Sequence, residues 1–199
     1  MNMVFDLGNV FVRWNPRTYY KNIFNDDAKM EFFLANVFTH DRILDLDRGV
    51  TFKEAVAEMN AQFPDWAAYT NMYEAGWEKM FFGVIQGTVD ILHELKAKKV
   101  PTFAITNWSH EKFPRALELF PFFNLFDGVV VSGVEKLVKP DPAIFELFLR
   151  RYDLKAKDCL FTDDLEVNVK GAESVGFHGH VFKNPEDLRL FLQRHQVLS

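Results

Sequence analysis

A single cysteine, Cys159, in 199 residues excludes an internal disulfide framework and any zinc site built on cysteines. A chain so poor in thiols suits a reducing, cytoplasmic setting. Basic charge is also scarce: 23 Lys and Arg stand against 28 Asp and Glu, a formal net charge of −5. Neither the positive surface of a nucleic-acid binder nor a polybasic membrane anchor is available. No apolar run is long enough to span a bilayer, and the opening Met-Asn-Met-Val-Phe-Asp has no basic flank, with Asp6 interrupting its apolar stretch. Internal repeats and low-complexity segments are missing too. The expectation is a cytoplasmic protein with no nucleic-acid or membrane partner, working as a monomer or homodimer. Apolar residues, by contrast, are ample at 48%, and 22 Phe bring the aromatic share to 16%, a composition that implies a large aromatic core. The length allows one domain, or one domain with a modest insertion.

Short apolar runs at Met3–Phe5, Val100–Ile105, Gly128–Val131, Cys159–Phe161 and His178–Phe182 lack period-two alternation and are separated by helical patterns. They read as buried parallel strands. Thr88 is placed to cap a helix bearing Val89, Ile91, Leu92 and Leu95; Asp141-Pro142 opens a second helix, and Asn184-Pro185 a third. Strands alternating with helices predict an α/β, doubly wound, Rossmann-like parallel sheet. Residues 15–87 show helical periodicity and caps but no strand pattern. Asn15-Pro16 and the capping box Thr51-Phe52-Lys53-Glu54 open helices there, and Gly49 suits a helix end. An all-helical insertion after the first strand is expected.

Four groups could carry chemistry, each at the end of a predicted strand or beside one. Asp6 follows the first strand, where ligands of open α/β sheets bind, although an Asp before Gly8-Asn9 is often only a turn residue. Thr106 and Asn107 follow the second strand and could bind an anionic oxygen, or Thr106 and Ser109 could cap the next helix. Lys139 lies in Val138-Lys139-Pro140-Asp141-Pro142, which two prolines should hold extended. Asp163 and Asp164 repel one another unless a cation or hydrogen-bond donors intervene, so metal binding competes with helix capping.

The ordered set strand-Asp, strand-Thr, Lys-Pro, strand-Asp-Asp resembles the haloacid dehalogenase superfamily of hydrolases over nearly the whole chain. Within it, the first motif Asp-Leu-Gly-Asn is similar to that of small bacterial sugar-phosphate phosphatases of the glucose-1-phosphate phosphatase type. The resemblance implies a catalytic core of residues 1–14 and 88–199 and a mobile helical cap of residues 15–87. It implies a Mg²⁺-dependent phosphatase acting on a small-molecule phosphate ester, such as a sugar 1-phosphate, through an aspartyl-phosphate on Asp6. Asp6, the Gly8 carbonyl and Asp163 would hold the Mg²⁺, with Asp164 behind them. Thr106 and Lys139 would share the catalytic work, and Asn107 and Trp108 would meet substrate. In the insertion and its approach, Arg13, Trp14, Asp41, Arg42, Asp45 and Trp77 are candidates for recognising the leaving group.

Two positions depart from the family pattern. Gly8 stands where these phosphatases carry a second Asp as acid and base, and Val167-Asn168 stands where they commonly carry another acid. Bulk water, a metal-bound water or a cap residue must then protonate the leaving group, which predicts a preference for leaving groups stable as anions. Gly8 also admits a 2-haloacid dehalogenase, and a weakly active binding protein of the same fold is a third reading.

Overall fold

The computed structural model describes residues 1–199. In chain order its strands are β1 (Asn2–Phe5), β2 (Val12–Trp14), β3 (Phe81–Val84), β4 (Thr102–Thr106), β5 (Gly128–Val131), β6 (Cys159–Asp163) and β7 (His178–Val181). Between β2 and β3 come α1 (Pro16–Tyr20), α2 (Asp27–Asn36), α3 (His40–Asp47), α4 (Phe52–Gln62), α5 (Ala67–Thr70) and α6 (Tyr73–Gly76). After β3 follow α7 (Gln86–Ala97), α8 (Phe113–Leu119), α9 (Ser132–Glu135), α10 (Pro142–Tyr152), α11 (Glu166–Ser174) and α12 (Pro185–Arg194). No helix is long and apolar enough to cross a membrane.

Five strands form one parallel sheet in the order β5-β4-β1-β6-β7. The apolar runs expected to be strands are all strands; β1, β4 and β6 bury side chains on both faces, whereas the edge strands β5 and β7 are partly exposed. Val4, Phe103, Ile105, Cys159 and Phe161 pack on one face against Ile144, Phe145 and Phe148 of α10. Met3, Phe5, Ala104 and Leu160 turn to the other face, which α7 and α12 cover with Leu92, Leu95, Leu188 and Leu192. The chain runs from β1 outward to β4 and β5, then crosses to β6 and β7 on the opposite side. Winding therefore reverses at β1, and the crevice at its carboxyl end opens there.

The predicted caps of the insertion hold. Asn15 Oδ1 accepts from the Arg17 amide at 2.9 Å, Thr51 and Glu54 close a capping box, and Gly49 follows α3 at φ 97°. Helices this short are marginal alone and depend on a cluster of rings, in which Tyr20, Phe24, Phe33, Phe38, Trp66 and Tyr69 meet at centroid distances such as 4.0 Å for Phe24 and Tyr69. The phenylalanine excess is thus spent on packing.

Three expectations need correction. The stretch 15–87 is not wholly helical: β3 lies in it and pairs antiparallel with β2, Val12 opposite Val84 and Arg13 opposite Gly83. This two-stranded ribbon joins the entry and exit of the insertion, so the helices hang from the sheet by a paired stalk. Thr88 lies inside α7 rather than capping it, and Ile85 takes the cap position. Residues Val138–Asp141 are not extended but close a turn, the Asp141 amide donating to the Val138 carbonyl at 3.0 Å. That turn carries Lys139 inward.

Candidate active site

At the carboxyl edge of the sheet, β1 delivers Asp6, β4 ends on Thr106, and β6 ends on Asp163. The Asp6 amide donates to the Thr162 carbonyl at 2.9 Å, which locks β1 to β6 at the point where their acids emerge. Lys139 is 2% exposed, and its Nζ donates to Asp6 Oδ1 at 2.8 Å and to Asp163 Oδ2 at 2.6 Å. Burial pulls the lysine's pKa down, but the two carboxylates beside it outweigh that and raise it, so the ammonium stays charged.

Oxygens of Asp6, Asp163 and Asp164 all lie within 4.8 Å of one another. Burial pushes the Asp6 pKa up to about 7, with Lys139 opposing and the Asp163 and Asp164 charges adding to the rise. Burial, followed by the Asp163 charge, also raises Asp164. Three carboxylates against one ammonium leave an excess of buried negative charge, and hard oxygen donors in that arrangement fit a Mg²⁺ ion. Thr106 Oγ1 is buried without any hydrogen-bond partner. An orphaned buried hydroxyl at the end of β4, the strand that pairs with β1, fits an oxyanion supplied by a ligand.

The remaining predicted residues fall into two groups. The Asn107 side chain is committed to the Lys139 backbone: its Nδ2 donates to the Lys139 carbonyl at 3.1 Å and its Oδ1 accepts from the Lys139 amide at 2.9 Å. It positions the lysine, although the residue also borders the cavity above the site. Trp108 is buried against Trp77 and Phe81, with ring centroids 6.0 and 5.7 Å away, and its edge faces the same cavity. Asp163 is held by the Leu165 amide at 2.9 Å and by Asn168 Nδ2 at 3.0 and 3.1 Å. Asn168, which the sequence shows only as a missing acid, is thus a neutral donor that aims the β6 carboxylate by hydrogen bonding both of its oxygens.

Over this edge the insertion roofs an open cavity of about 120 Å³. Gly8, Asn9, Asn107 and Ser109 form its floor, and Trp14, Phe52, Tyr73, Trp77 and Phe81 contribute aromatic walls. Of the insertion candidates, Trp14 and Trp77 line it. Arg13 is exposed, Arg42 is held by Gln62 Oε1 at 2.6 Å, Asp45 pairs with Arg48 at 2.9 Å, and Asp41 is exposed. Sequence reasoning missed Asp47, the last residue of α3 and the one acid of the insertion that lines the cavity. Its signal was an acid on an apolar helix face, in phase with Ile43 and Leu46.

A family model described as haloacid dehalogenase-like hydrolase matches residues 3–176. The chain is 35% identical over 89 residues to a sesquiterpene phosphatase of Aspergillus oryzae, covering 45% of each protein. It is 36% identical over 96 residues to acyl-CoA dehydrogenase family member 10 of Mus musculus, covering 48% of this chain and 9% of that protein. With an (S)-2-haloacid dehalogenase of Pseudomonas sp. it shares 25% identity over 114 residues, covering 56% of this chain and 50% of that protein. The chain spans half or less of the length of these curated relatives. A haloacid dehalogenase family enzyme of Bacteroides thetaiotaomicron, crystallised with magnesium, superposes with a TM-score of 0.76 at 20% identity, over 96% of this chain and 98% of that one.

Proposed function

The chain belongs to the haloacid dehalogenase-like hydrolases, and on that premise we propose that it is a Mg²⁺-dependent phosphatase that removes the phosphoryl group from a small metabolite through an aspartyl-phosphate on Asp6. The observation that carries the reading is the buried contact of Lys139 with both Asp6 and Asp163, and the unpartnered Thr106 hydroxyl at the end of the neighbouring strand adds to it. A phosphatase among the relatives, and a solved structure of the same Bacteroides enzyme with magnesium and inorganic phosphate, support it.

Asp6 is the attacking group, its Oδ forming a bond to phosphorus as the ester P–O bond breaks, a covalent route open to carboxylates. Lys139 holds Asp6 in place and supplies positive charge to the transferring group, and Thr106 Oγ1 donates to a phosphoryl oxygen. Asn107 fixes the backbone that carries Lys139, and Asn168 fixes Asp163. Mg²⁺, held by Asp6, the Gly8 carbonyl and Asp163 with Asp164 nearby, would offset the repulsion between a carboxylate and an anionic phosphate. Trp108 bounds the space for the leaving group. Because that space is walled largely by aromatic rings, the alcohol it accepts is one with an apolar or ring face, which includes a sugar 1-phosphate.

Phosphate release from an aryl phosphate tests this, run with Mg²⁺ and with a chelator, alongside halide release from a 2-haloacid. Magnesium-dependent phosphate without halide is expected. Halide release would favour the dehalogenase reading that Gly8 and the Pseudomonas relative raise, and neither product would leave a binding protein.

A further inference from the structure

The phosphatase reading leaves one role unfilled, the acid that protonates the departing oxygen. Gly8 occupies the position where the family pattern has that acid, yet no steric demand keeps it a glycine. A Cβ built on it would meet nothing closer than Asp6 Oδ2 at 4.0 Å, and its φ is not positive. The volume above Gly8 belongs to the open cavity, and Asp47 borders that cavity from the insertion side.

Asp47 differs from the other acids of α3. Asp45 is paired with Arg48, and Asp41 is exposed to solvent, whereas the Asp47 carboxyl makes neither a hydrogen bond nor an ion pair. It sits at the carboxyl end of its helix, where the unpaired backbone carbonyls disfavour an anion, among Ile43, Leu46, Phe52 and Tyr73. An unpaired acid in an apolar wall is a structural cost, and such groups in clefts mark functional sites.

Resting on the phosphatase reading, we propose that Asp47 is the general acid and base of this enzyme, reaching from the insertion to the leaving oxygen that Gly8 cannot serve. As the P–O bond to the leaving group breaks, its electron pair stays on that oxygen, which takes the proton of the Asp47 carboxyl. In the second half-reaction the Asp47 carboxylate removes a proton from water as the water oxygen bonds to phosphorus. The bond to Asp6 then breaks and inorganic phosphate forms, so both side chains return to their starting states. Charges facing Asp47 agree with this: burial pushes its pKa up to about 8, Lys139 and Arg48 oppose the rise, and Asp6 adds to it. Tyr73, neutral and buried, faces it as well. The half-buried Asp47 carboxyl therefore holds its proton to higher pH than an ordinary carboxyl does. The steep preference for good leaving groups that Gly8 predicts then belongs to the protein without Asp47, not to the native chain.

The test compares the native chain with Asp47→Asn on a graded series of magnesium-activated aryl and alkyl phosphates too small to fill the cavity. The native chain should show a shallow fall of kcat with leaving-group pKa and an alkaline limb near pH 8 on alkyl esters. Asp47→Asn should lose about 10² to 10⁴-fold on alkyl esters and less than about tenfold on the most activated aryl esters, with that limb gone. Adding Gly8→Asp to Asp47→Asn puts a carboxyl into the open volume and should restore the shallow slope. Equal slopes and limbs in the native chain and Asp47→Asn would overturn the Asp47 role while leaving the phosphatase intact. If Asp47→Asn does not fold, a steep slope in the native chain alone overturns it, and a shallow one supports it. Absence of phosphate release from every ester by the native chain would sink both readings.

Discussion

The sheet edge and the insertion wall meet across one cavity but treat their polar groups in opposite ways. At the edge, Asp6, Lys139, Asp163, Asn168 and Asn107 hold one another at 2.6 to 3.1 Å, and the Thr106 hydroxyl is left for a ligand. Across the cavity, rings dominate and the single acid, Asp47, has no partner. Under the proposed function, the difference divides the chemistry: a preorganised network would handle the phosphoryl group, where charge must be stabilised without rearrangement. The wall would handle the leaving group, where shape, apolar contact and one proton suffice.

The largest effect should come from the network. Asp6→Asn keeps shape but neither attacks phosphorus nor ligates magnesium well, so turnover should fall below a few per cent with thermal melting unchanged. Phosphate release and melting, run on the same sample, check both halves. Lys139→Met keeps the apolar stem and removes the ammonium between two buried carboxylates. Activity should vanish, and denaturant unfolding in the absence of metal should show a loss of about 3–5 kcal/mol, the usual cost of stranding a buried charge. A smaller loss would mean that water screens the cluster.

Metal titration sharpens the contrast within the acidic pair. Asp163, fully buried and aimed by Asn168 and the Leu165 amide, should carry far more of the Mg²⁺ affinity than Asp164. Calorimetry should therefore find Asp163→Ala much weaker than Asp164→Ala, and equal affinities would remove Asp163 from the ligand set.

The wall should behave in the opposite sense, because its acid costs stability. Asp47 has its pKa raised from 3.8 to about 8 in the folded chain, so the folded state holds that proton more tightly than the unfolded one. The benefit is complete below the unfolded value and is lost as pH rises through the folded one. Asp47→Asn should thus melt with the native chain near pH 4 and above it at pH 9. For a chain of this length a gain on the order of 1 kcal/mol corresponds to about 2–4 °C. Melting curves across that range decide the sign. The smallest effect belongs to the exposed Arg115–Glu78 pair at 2.8 Å that ties α8 to the end of the insertion. Arg115→Ala should change melting little in dilute buffer and not at all in high salt.

The same division explains what could be read from residues alone. Asp6, Thr106 and Asp163 stand at the ends of apolar runs, and a parallel sheet brings such ends to one edge whatever the loops do. Their grouping followed from strand order. The Lys139 turn brought its residue to the site, although its local geometry had been expected to be extended. Asp47 carried a local signal in its phase with Ile43 and Leu46, but the cavity that this face meets depends on how six short helices pack, which that period does not encode. The β2–β3 ribbon was hidden for a related reason: its strands have three and four residues, one contains Gly83, and partners such as Val12 and Val84 are far apart in sequence. Asn168 was visible as a departure from an acidic pattern, but its hold on Asp163 needed the folded turn of β6 into α11.

The central claim is that Asp6 becomes phosphorylated, and quenching the magnesium-loaded protein in acid during turnover of an aryl phosphate, followed by peptide mass spectrometry, tests it most directly. A phosphoryl group on the peptide that contains Asp6, absent from Asp6→Asn, is the predicted result. Sustained phosphate release by Asp6→Asn, with no phosphorylated peptide in the native protein, would contradict it.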